Sequence, residues 1–476
     1  MTKIVIINPP LDSNSEGTYE RWAPSMPLGY LGTALLDKGY DVEVIDAKYD
    51  SISSQDIGEI VTKKRPRLIG ITVMTEDFRS ASITAEKVKS IDRDIVVVVG
   101  GPHPTALPTR TLEDCEHFDI SVAGEGEHVL PIIIDSVKSG NYEEIKKIPG
   151  VSIRLKNGSI FSNSEPPTII KNLDQIPFPR WHKLLNVSDS TLFPIVTSRG
   201  CPYKCVFCQP VYGRVSKGRR TESTRFRSVS HILSEVDYLV SEVSCKRIAF
   251  CDDTFTLNRK RVLEFLDVFV KTGYHNKVKW WGDTRVNLVD LEILKKMKAA
   301  GCEMVSFGVE SGNDKILKLI GKGITKDQAR KAVKWAREAG LKIRTFFILG
   351  HPYETRETAQ DTLNFASELN ADGVTFSIMT PLPGTVLEDW AKEGVGGLRF
   401  ISTNWSDYSL QLSDVCELDQ LPISDIKYLQ MRGYLGFYIR PSRLLNLLKI
   451  INKKKIPFIT LHLLKVLLKS FLPKSK

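Results

Sequence analysis

The 476-residue sequence has no run of eighteen or more uncharged apolar residues, so no segment reads as a membrane-spanning helix. Met1-Thr2-Lys3 leads straight into the strand-like Ile4-Val5-Ile6-Ile7, without the apolar region of a secretory signal, and a cytoplasmic protein is expected. Cysteine is sparse. Of eight, only Cys115 falls before residue 190, which argues against a disulfide framework and for a reducing compartment. Asp and Glu are absent from Ile426 to Lys476, a stretch holding 12 of the 66 Lys and Arg residues. The remainder, 54 basic against 56 acidic residues, is close to neutral, so the net charge of +10 belongs to the tail. There is no low-complexity tract and no internal repeat beyond a strand–helix rhythm.

What is present suffices for proper cores: 42% of residues are hydrophobic and 26% charged, and the length suggests about two to four domains. Within residues 1–145, short β-rich runs at Lys3 to Asn8, Asp41 to Asp46, Leu68 to Thr75, Ile95 to Gly100 and Phe118 to Ala123 alternate with helical stretches. This is the pattern of a doubly wound, flavodoxin-like or Rossmann-like α/β sheet, in which ligands sit at the carboxyl ends of the strands. The loops there are Pro9-Pro10, Thr75, Gly100-Gly101-Pro102-His103 and Gly124-Glu125-Gly126-Glu127. Residues 146–190, with a hairpin-like stretch and Pro-rich turns, read as a linker. Across 191–390, strands near Ile195 to Ser198, Arg247 to Cys251, Lys279 to Trp281, Met304 to Val309, Ile343 to Leu349 and Val374 to Met379 make six βα-type units, a partial (β/α)6 barrel. Residues 391–476 read as an α-helical C-terminal region with a basic amphipathic tail.

Just after the first barrel strand comes Cys201-Pro202-Tyr203-Lys204-Cys205-Val206-Phe207-Cys208, on the loop face where barrels place chemistry. Three thiolates holding a cuboidal cluster leave one iron open to a small molecule. Zinc is the alternative, but a closed zinc site wants a fourth Cys or His nearby, and none follows Cys208 within twenty residues. Cys115, Cys245, Cys251, Cys302 and Cys416 lack metal-type spacing and read as packing residues.

The spacing of Cys201, Cys205 and Cys208, with an aromatic residue before the last, resembles the CxxxCxxC motif of the radical S-adenosylmethionine superfamily. Phe250-Cys251-Asp252-Asp253, Phe307-Gly308-Val309-Glu310-Ser311-Gly312 and Ile348-Leu349-Gly350-His351-Pro352-Tyr353-Glu354 are similar to later strand-end motifs of that barrel. With the amino-terminal sheet, residues 1 to about 390 resemble the superfamily's cobalamin-binding branch. The resemblance implies a [4Fe-4S] cluster on the three cysteines, S-adenosylmethionine on the open iron, and one-electron cleavage to a 5′-deoxyadenosyl radical. It further implies Phe207 against adenine, Glu310 and Ser311 near ribose or the amino acid moiety, and Asp252, Asp253 or Arg344 near the methionine end. Gly308 and Gly312 read equally well as close strand-to-helix contacts. Arg285 reads as a polar wall residue, and neither Trp280 nor Trp281 is assigned to the site.

Cobalamin would then lie across the ends of the first sheet, held by Pro9, Pro10, Thr75, Gly100, Gly101, Pro102, His103, Gly124, Glu125 and Gly126. The Asp-x-His-x-x-Gly signature of a lower axial histidine is absent, and His103 reads as a polar loop residue. The expected partners are a small-molecule or lipid substrate and a one-electron reductant such as flavodoxin or ferredoxin, with no nucleic acid. The basic tail suits peripheral contact with an anionic membrane face, or equally a helix capping the barrel. Carbon methylation is the expected reaction and cyclisation, rearrangement or coupling its alternative. A tRNA methylthiotransferase would carry a second cysteine triad upstream, where only Cys115 stands. A redox- or cobalamin-responsive sensor would cleave no S-adenosylmethionine.

Overall fold

The computed structural model describes residues 3–11, 23–188, 191–209, 214–215, 219–220, 224–409 and 411–439. The basic tail beyond residue 439, and with it the proposed membrane contact, lies outside them.

The first sheet has the order β2-β1-β3-β4-β5-β6-β7. Five parallel strands, β1 (Lys3–Asn8), β2 (Asp41–Asp46), β3 (Leu68–Thr72), β4 (Val96–Gly100) and β5 (Ile120–Val122), form its body. Their runs of Val and Ile are buried on both faces, as a sheet covered by helices on each side requires. The antiparallel hairpin β6 (Val151–Arg154) and β7 (Ile160–Ser162) then pairs onto β5. The sheet therefore runs on into the segment read above as a linker. That segment also carries Trp181, fully buried over Gly29 of helix Met26–Asp37 and 6.3 Å from the Phe193 ring. It is a seam between the two halves as much as a connection.

The second sheet is six-stranded and parallel: β8 (Leu192–Ile195), β13 (Arg247–Phe250), β14 (Lys279–Thr284), β15 (Cys302–Glu310), β16 (Lys342–Leu349) and β17 (Gly373–Ile378), in that order from edge to edge. This is the expected open barrel. Its first strand ends three residues earlier than the sequence suggested, because Ser198 and Arg199 leave it as β9 to pair with β12 (Arg225–Phe226). A two-residue ribbon, β10 (Arg214–Val215) with β11 (Arg219–Arg220), lies between them in the chain. After β17 come the hairpin β18 (Leu398–Phe400) and β19 (Cys416–Leu418), then helix Ile423–Tyr438. Tyr434 and Tyr438 of this helix bond the backbone of β17 at Phe376 and Val374, covering the open barrel's last strand. Among the described residues no helix is long and apolar enough to cross a membrane.

Candidate active site between the two sheets

The carboxyl ends of the two sheets face each other across a cavity of about 390 Å³. Its first wall is the β4 and β5 loops, with Gly100, Gly101, Pro102, Gly124, Glu125 and Gly126, together with Asn8 and the start of helix Met26–Asp37. Its second wall comes from the barrel: Arg199, Cys251 and Asp253. Of the loop residues named from sequence, those six and Glu127 line the space. Pro9, Pro10, Thr75 and His103 do not. Pro9 and Pro10 are buried, with the Pro10 carbonyl accepting from Ser80 Oγ at 2.7 Å. The reading of His103 as a loop residue is also corrected. It sits buried in helix Pro102–Ala106, between the rings of Phe78 and Trp405 at 4.8 Å each, with Nδ1 3.3 Å from Thr75 Oγ1. Burial pushes its imidazole down to about 4. Trp405 from the C-terminal region, whose Nε1 donates to Asp114 Oδ2 at 2.8 Å, thus straps that region onto the first domain.

A Cβ added at Gly100 would meet nothing closer than the Val122 carbonyl oxygen at 3.8 Å, so a side chain there would occupy the cavity instead of the sheet. At the glycines the wall is backbone.

A buried ion network ties the two walls together. Glu125 accepts from Arg199 Nη1 at 2.8 Å, Arg225 Nη1 at 2.9 Å and the Ile170 backbone N–H at 2.6 Å, while Arg199 also reaches Glu127 at 2.5 Å. All four charged side chains are under a tenth exposed. Burial pushes the Glu125 carboxyl up, but Arg225 and Arg199 more than offset this and hold it below the usual range. The loop residues expected to grip cofactor by shape therefore also clamp the barrel, and Arg199 stands two residues before Cys201.

On the barrel side, Cys201 is half-buried, Cys205 buried and Cys208 exposed. Burial and then the charges of Asp253, Cys205 and Cys201 push the Cys208 thiol up to about 12. A thiol held protonated beside two further cysteines suits a site where a cationic iron core would compensate the charge of its thiolate. Cys251 is exposed in the cavity, which corrects its reading as a packing residue; Cys115, Cys245, Cys302 and Cys416 are buried as expected.

The other barrel residues divide. Glu310 forms a buried ion pair with Lys322 Nζ at 2.6 Å, and it holds φ 71° at a bulge of β15. A Cβ at Gly308 would stand 2.5 Å from Glu310 Oε1 and 2.8 Å from Lys322 Nζ, so this glycine makes room for the pair and is not a contact to a helix. Gly312 is such a contact, facing the Asp361 carbonyl and Phe365. Because the atoms in the way at Gly308 are side-chain tips, Gly308→Ala should cost only about 1 kcal/mol in stability. It should nevertheless raise the S-adenosylmethionine KM several-fold at unchanged iron content, as should Glu310→Ala. An unchanged KM in both variants would remove the pair from the site. Asp253 faces the cavity and burial pushes its carboxyl up. Asp252 instead turns back: it accepts from Thr197 Oγ1 at 2.9 Å and Ser198 Oγ at 2.5 Å, fixing the strand end that leads to Arg199. Ser311 likewise turns away, 3.3 Å from Thr362 Oγ1 and accepting from the Asn313 N–H. Arg344 on β16 is exposed, near enough to Asp283 to counter the upward push of burial on that carboxyl. Phe207 is half-buried beside His351, ring centroids 6.5 Å apart.

Glu354 went unremarked in the sequence reading beyond its motif. It is fully buried, one oxygen accepting from the Gly350 and His351 N–H groups at 2.5 and 3.3 Å, the other with no protein partner. Burial pushes its carboxyl up to about 8. The folded chain thus holds this proton more tightly than the unfolded chain, and stability should fall as pH rises from about 4.5 towards about 8. Glu354→Gln should flatten that part of a Tm-versus-pH curve. A curve parallel to that of the unmodified chain would contradict the assignment.

Comparison with known proteins agrees with this fold. Residues 195–366 match the Radical SAM superfamily and residues 18–134 the B12 binding domain. An uncharacterized methyltransferase of Pyrococcus horikoshii is 35% identical over 448 residues, 93% of this chain and 94% of its own length. The chain is a cobalamin-binding radical S-adenosylmethionine enzyme. The family's cofactors are a [4Fe-4S] cluster, S-adenosylmethionine and cobalamin. An anaerobic magnesium-protoporphyrin IX monomethyl ester cyclase of Cereibacter sphaeroides is 29% identical over 396 residues, 81% of this chain and 63% of the cyclase. The fold is shared with the radical S-adenosylmethionine methyltransferase TsrM of Kitasatospora setae, solved with cobalamin and a [4Fe-4S] cluster. The TM-score is 0.69 at 19% identity, covering 96% of this chain and 92% of that one.

Proposed function

We propose that this cobalamin-binding radical S-adenosylmethionine enzyme methylates an unactivated carbon of an apolar small molecule or lipid, held in the cavity between the two sheets. The observation that carries this is that one space is walled by both the glycine loops of the first sheet and by Cys251 and Asp253 of the barrel. A substrate lodged there is within reach of both halves. When bound, the cluster and S-adenosylmethionine supply one-electron chemistry at carbon and cobalamin supplies a methyl carrier.

The residues of the chain do the holding. Cys201, Cys205 and Cys208 are the cluster's ligands in this reading, and the Lys322–Glu310 pair sets a carboxylate at the barrel rim for the nucleoside or amino acid groups. Gly100, Gly101 and Gly124 offer backbone to the corrin. The aliphatic residues of the same wall, among them Leu28, Leu31, Val99 and Leu130, exclude water beside it. Asp253, exposed in the cavity with its carboxyl raised, is placed to hold or take a proton at the substrate.

The similarity to an anaerobic cyclase makes ring closure the second reading. Product ratios separate the two. Anoxically reconstituted protein, given a cellular lipid or metabolite extract and labelled S-adenosylmethionine, should form 5′-deoxyadenosine and S-adenosylhomocysteine in equal amounts if it methylates, with one extract component gaining the labelled methyl. 5′-Deoxyadenosine without S-adenosylhomocysteine, alongside a product short of hydrogens, would replace methylation by cyclisation.

A further inference from the structure

We propose that Arg285, at the end of β14, is a positioning residue that donates a charged hydrogen bond to the Cys205 sulfur and thereby makes the iron–sulfur cluster easier to reduce. The inference rests on reading Cys205 as a cluster ligand. Arg285 is 4% exposed, and every nitrogen of its guanidinium is directed. Nε donates to Asn287 Oδ1 at 3.3 Å and Nη2 to the Lys322 carbonyl. The plane lies over the Tyr203 ring, 3.5 Å from its centroid. With those three contacts made, Nη1 is left facing Cys205 Sγ at 3.9 Å, within range of a hydrogen bond to sulfur.

Two features set this apart from an ordinary wall residue. No carboxylate is among the hydrogen-bond or ion-pair partners of Arg285 in the described residues, although a buried guanidinium without a counter-charge costs several kcal/mol. A neutral side chain would build the same wall at lower cost. The nearby group able to carry compensating negative charge is the thiolate of Cys205. Second, the partners are parts of the cysteine loop itself and of the segment that follows β15: Tyr203 lies inside the cysteine motif, Cys205 Sγ is also 3.9 Å from the Gly321 carbonyl, and Lys322 pairs with Glu310. Arg285 thus fixes the sulfur, the loop and the Glu310 rim to one another.

A cluster on three thiolates is anionic and gains one further negative charge on reduction. A fixed cation bonded to one of the sulfurs stabilises the reduced form more than the oxidised form. Taking it away should therefore move the midpoint potential to more negative values.

The test is a redox titration of full-length, anoxically reconstituted protein without S-adenosylmethionine, followed by electron paramagnetic resonance of the reduced cluster. Unmodified protein, Arg285→Gln and Arg285→Lys are compared at equal iron content. The expected order of midpoint potentials is unmodified protein highest, Arg285→Lys intermediate, and Arg285→Gln lowest, with a changed resonance line shape in the last. If Arg285→Gln fails to take up iron, Arg285→Lys decides, and a potential equal to that of the unmodified protein would overturn the proposal. So would native potentials in both variants. An unmodified protein that takes up no iron would instead count against the cluster assignment beneath it.

Discussion

Replacing any one of Cys201, Cys205 or Cys208 by Ala is expected to abolish reductive cleavage of S-adenosylmethionine and to strip most of the iron, while leaving the fold in place. The three sit in sequence between β9 and the described start of the ribbon that follows, on a loop whose backbone is anchored independently of the thiols. The Val206 N–H donates to the Ile320 carbonyl at 3.1 Å, and the Leu387 N–H donates to the Val206 carbonyl at 3.0 Å. Loss of a thiol should therefore cost little thermal stability, and circular dichroism should be unchanged. Activity should drop to background, because a cluster short of one ligand no longer presents a single open iron. The same substitution at buried Cys115, Cys245, Cys302 or Cys416 should do the reverse, with stability reduced by about 1 kcal/mol and iron and cleavage retained. A Cys205→Ala protein with native iron and native 5′-deoxyadenosine output would refute the assignment.

The largest stability effect is expected at Glu125. Glu125→Ala would leave Arg225 with the Ile170 carbonyl and Arg199 with Glu127, in a site where each of these side chains is under a tenth exposed. Breaking a buried pair from one side typically costs about 3 to 5 kcal/mol, which for domains of this size means a Tm lower by on the order of 10 °C. Because the lost contacts span the two sheets, cobalamin retention through gel filtration should fall in parallel. Acid should mimic the substitution in the unmodified protein. The folded carboxyl titrates below its ordinary value of about 4.5, so its contribution is complete above that value and is lost as pH falls through the depressed one. A Glu125→Ala protein with an unaltered Tm would show that the arginines find other partners.

The strand rhythm and the cysteine spacing were readable directly, since buried parallel strands write themselves as Val and Ile runs and a three-thiolate site needs its ligands on one loop. The glycines lining the cavity, Gly100, Gly101, Gly124 and Gly126, were also legible, because residues without bulk at strand ends have few other uses. What failed to show was direction. Asp252 and Asp253 are neighbours in the loop after β13, and one turns into a hydrogen-bonded corner while the other faces the cavity. His103 was hidden by the same limit: its partner Trp405 lies three hundred residues away in a region with weak periodicity. Arg285 was legible only as a polar wall residue and Lys322 not at all, since the partners of the first, a ring, a carbonyl and a sulfur, and of the second, the Glu310 carboxylate, are brought together only by closure of the barrel.

The four-way contact of Arg199, Arg225, Glu125 and Glu127 also bears on how such chains can be recombined. Residues 1–145 cut away from the rest would carry two acids shaped to meet arginines that are no longer there, and would lose the β6–β7 hairpin that finishes their sheet. A chimera that grafts a first domain onto a different barrel must carry all four charged residues and the hairpin with it. The unit of exchange is thus larger than either sheet, and its natural seam lies beyond Phe226.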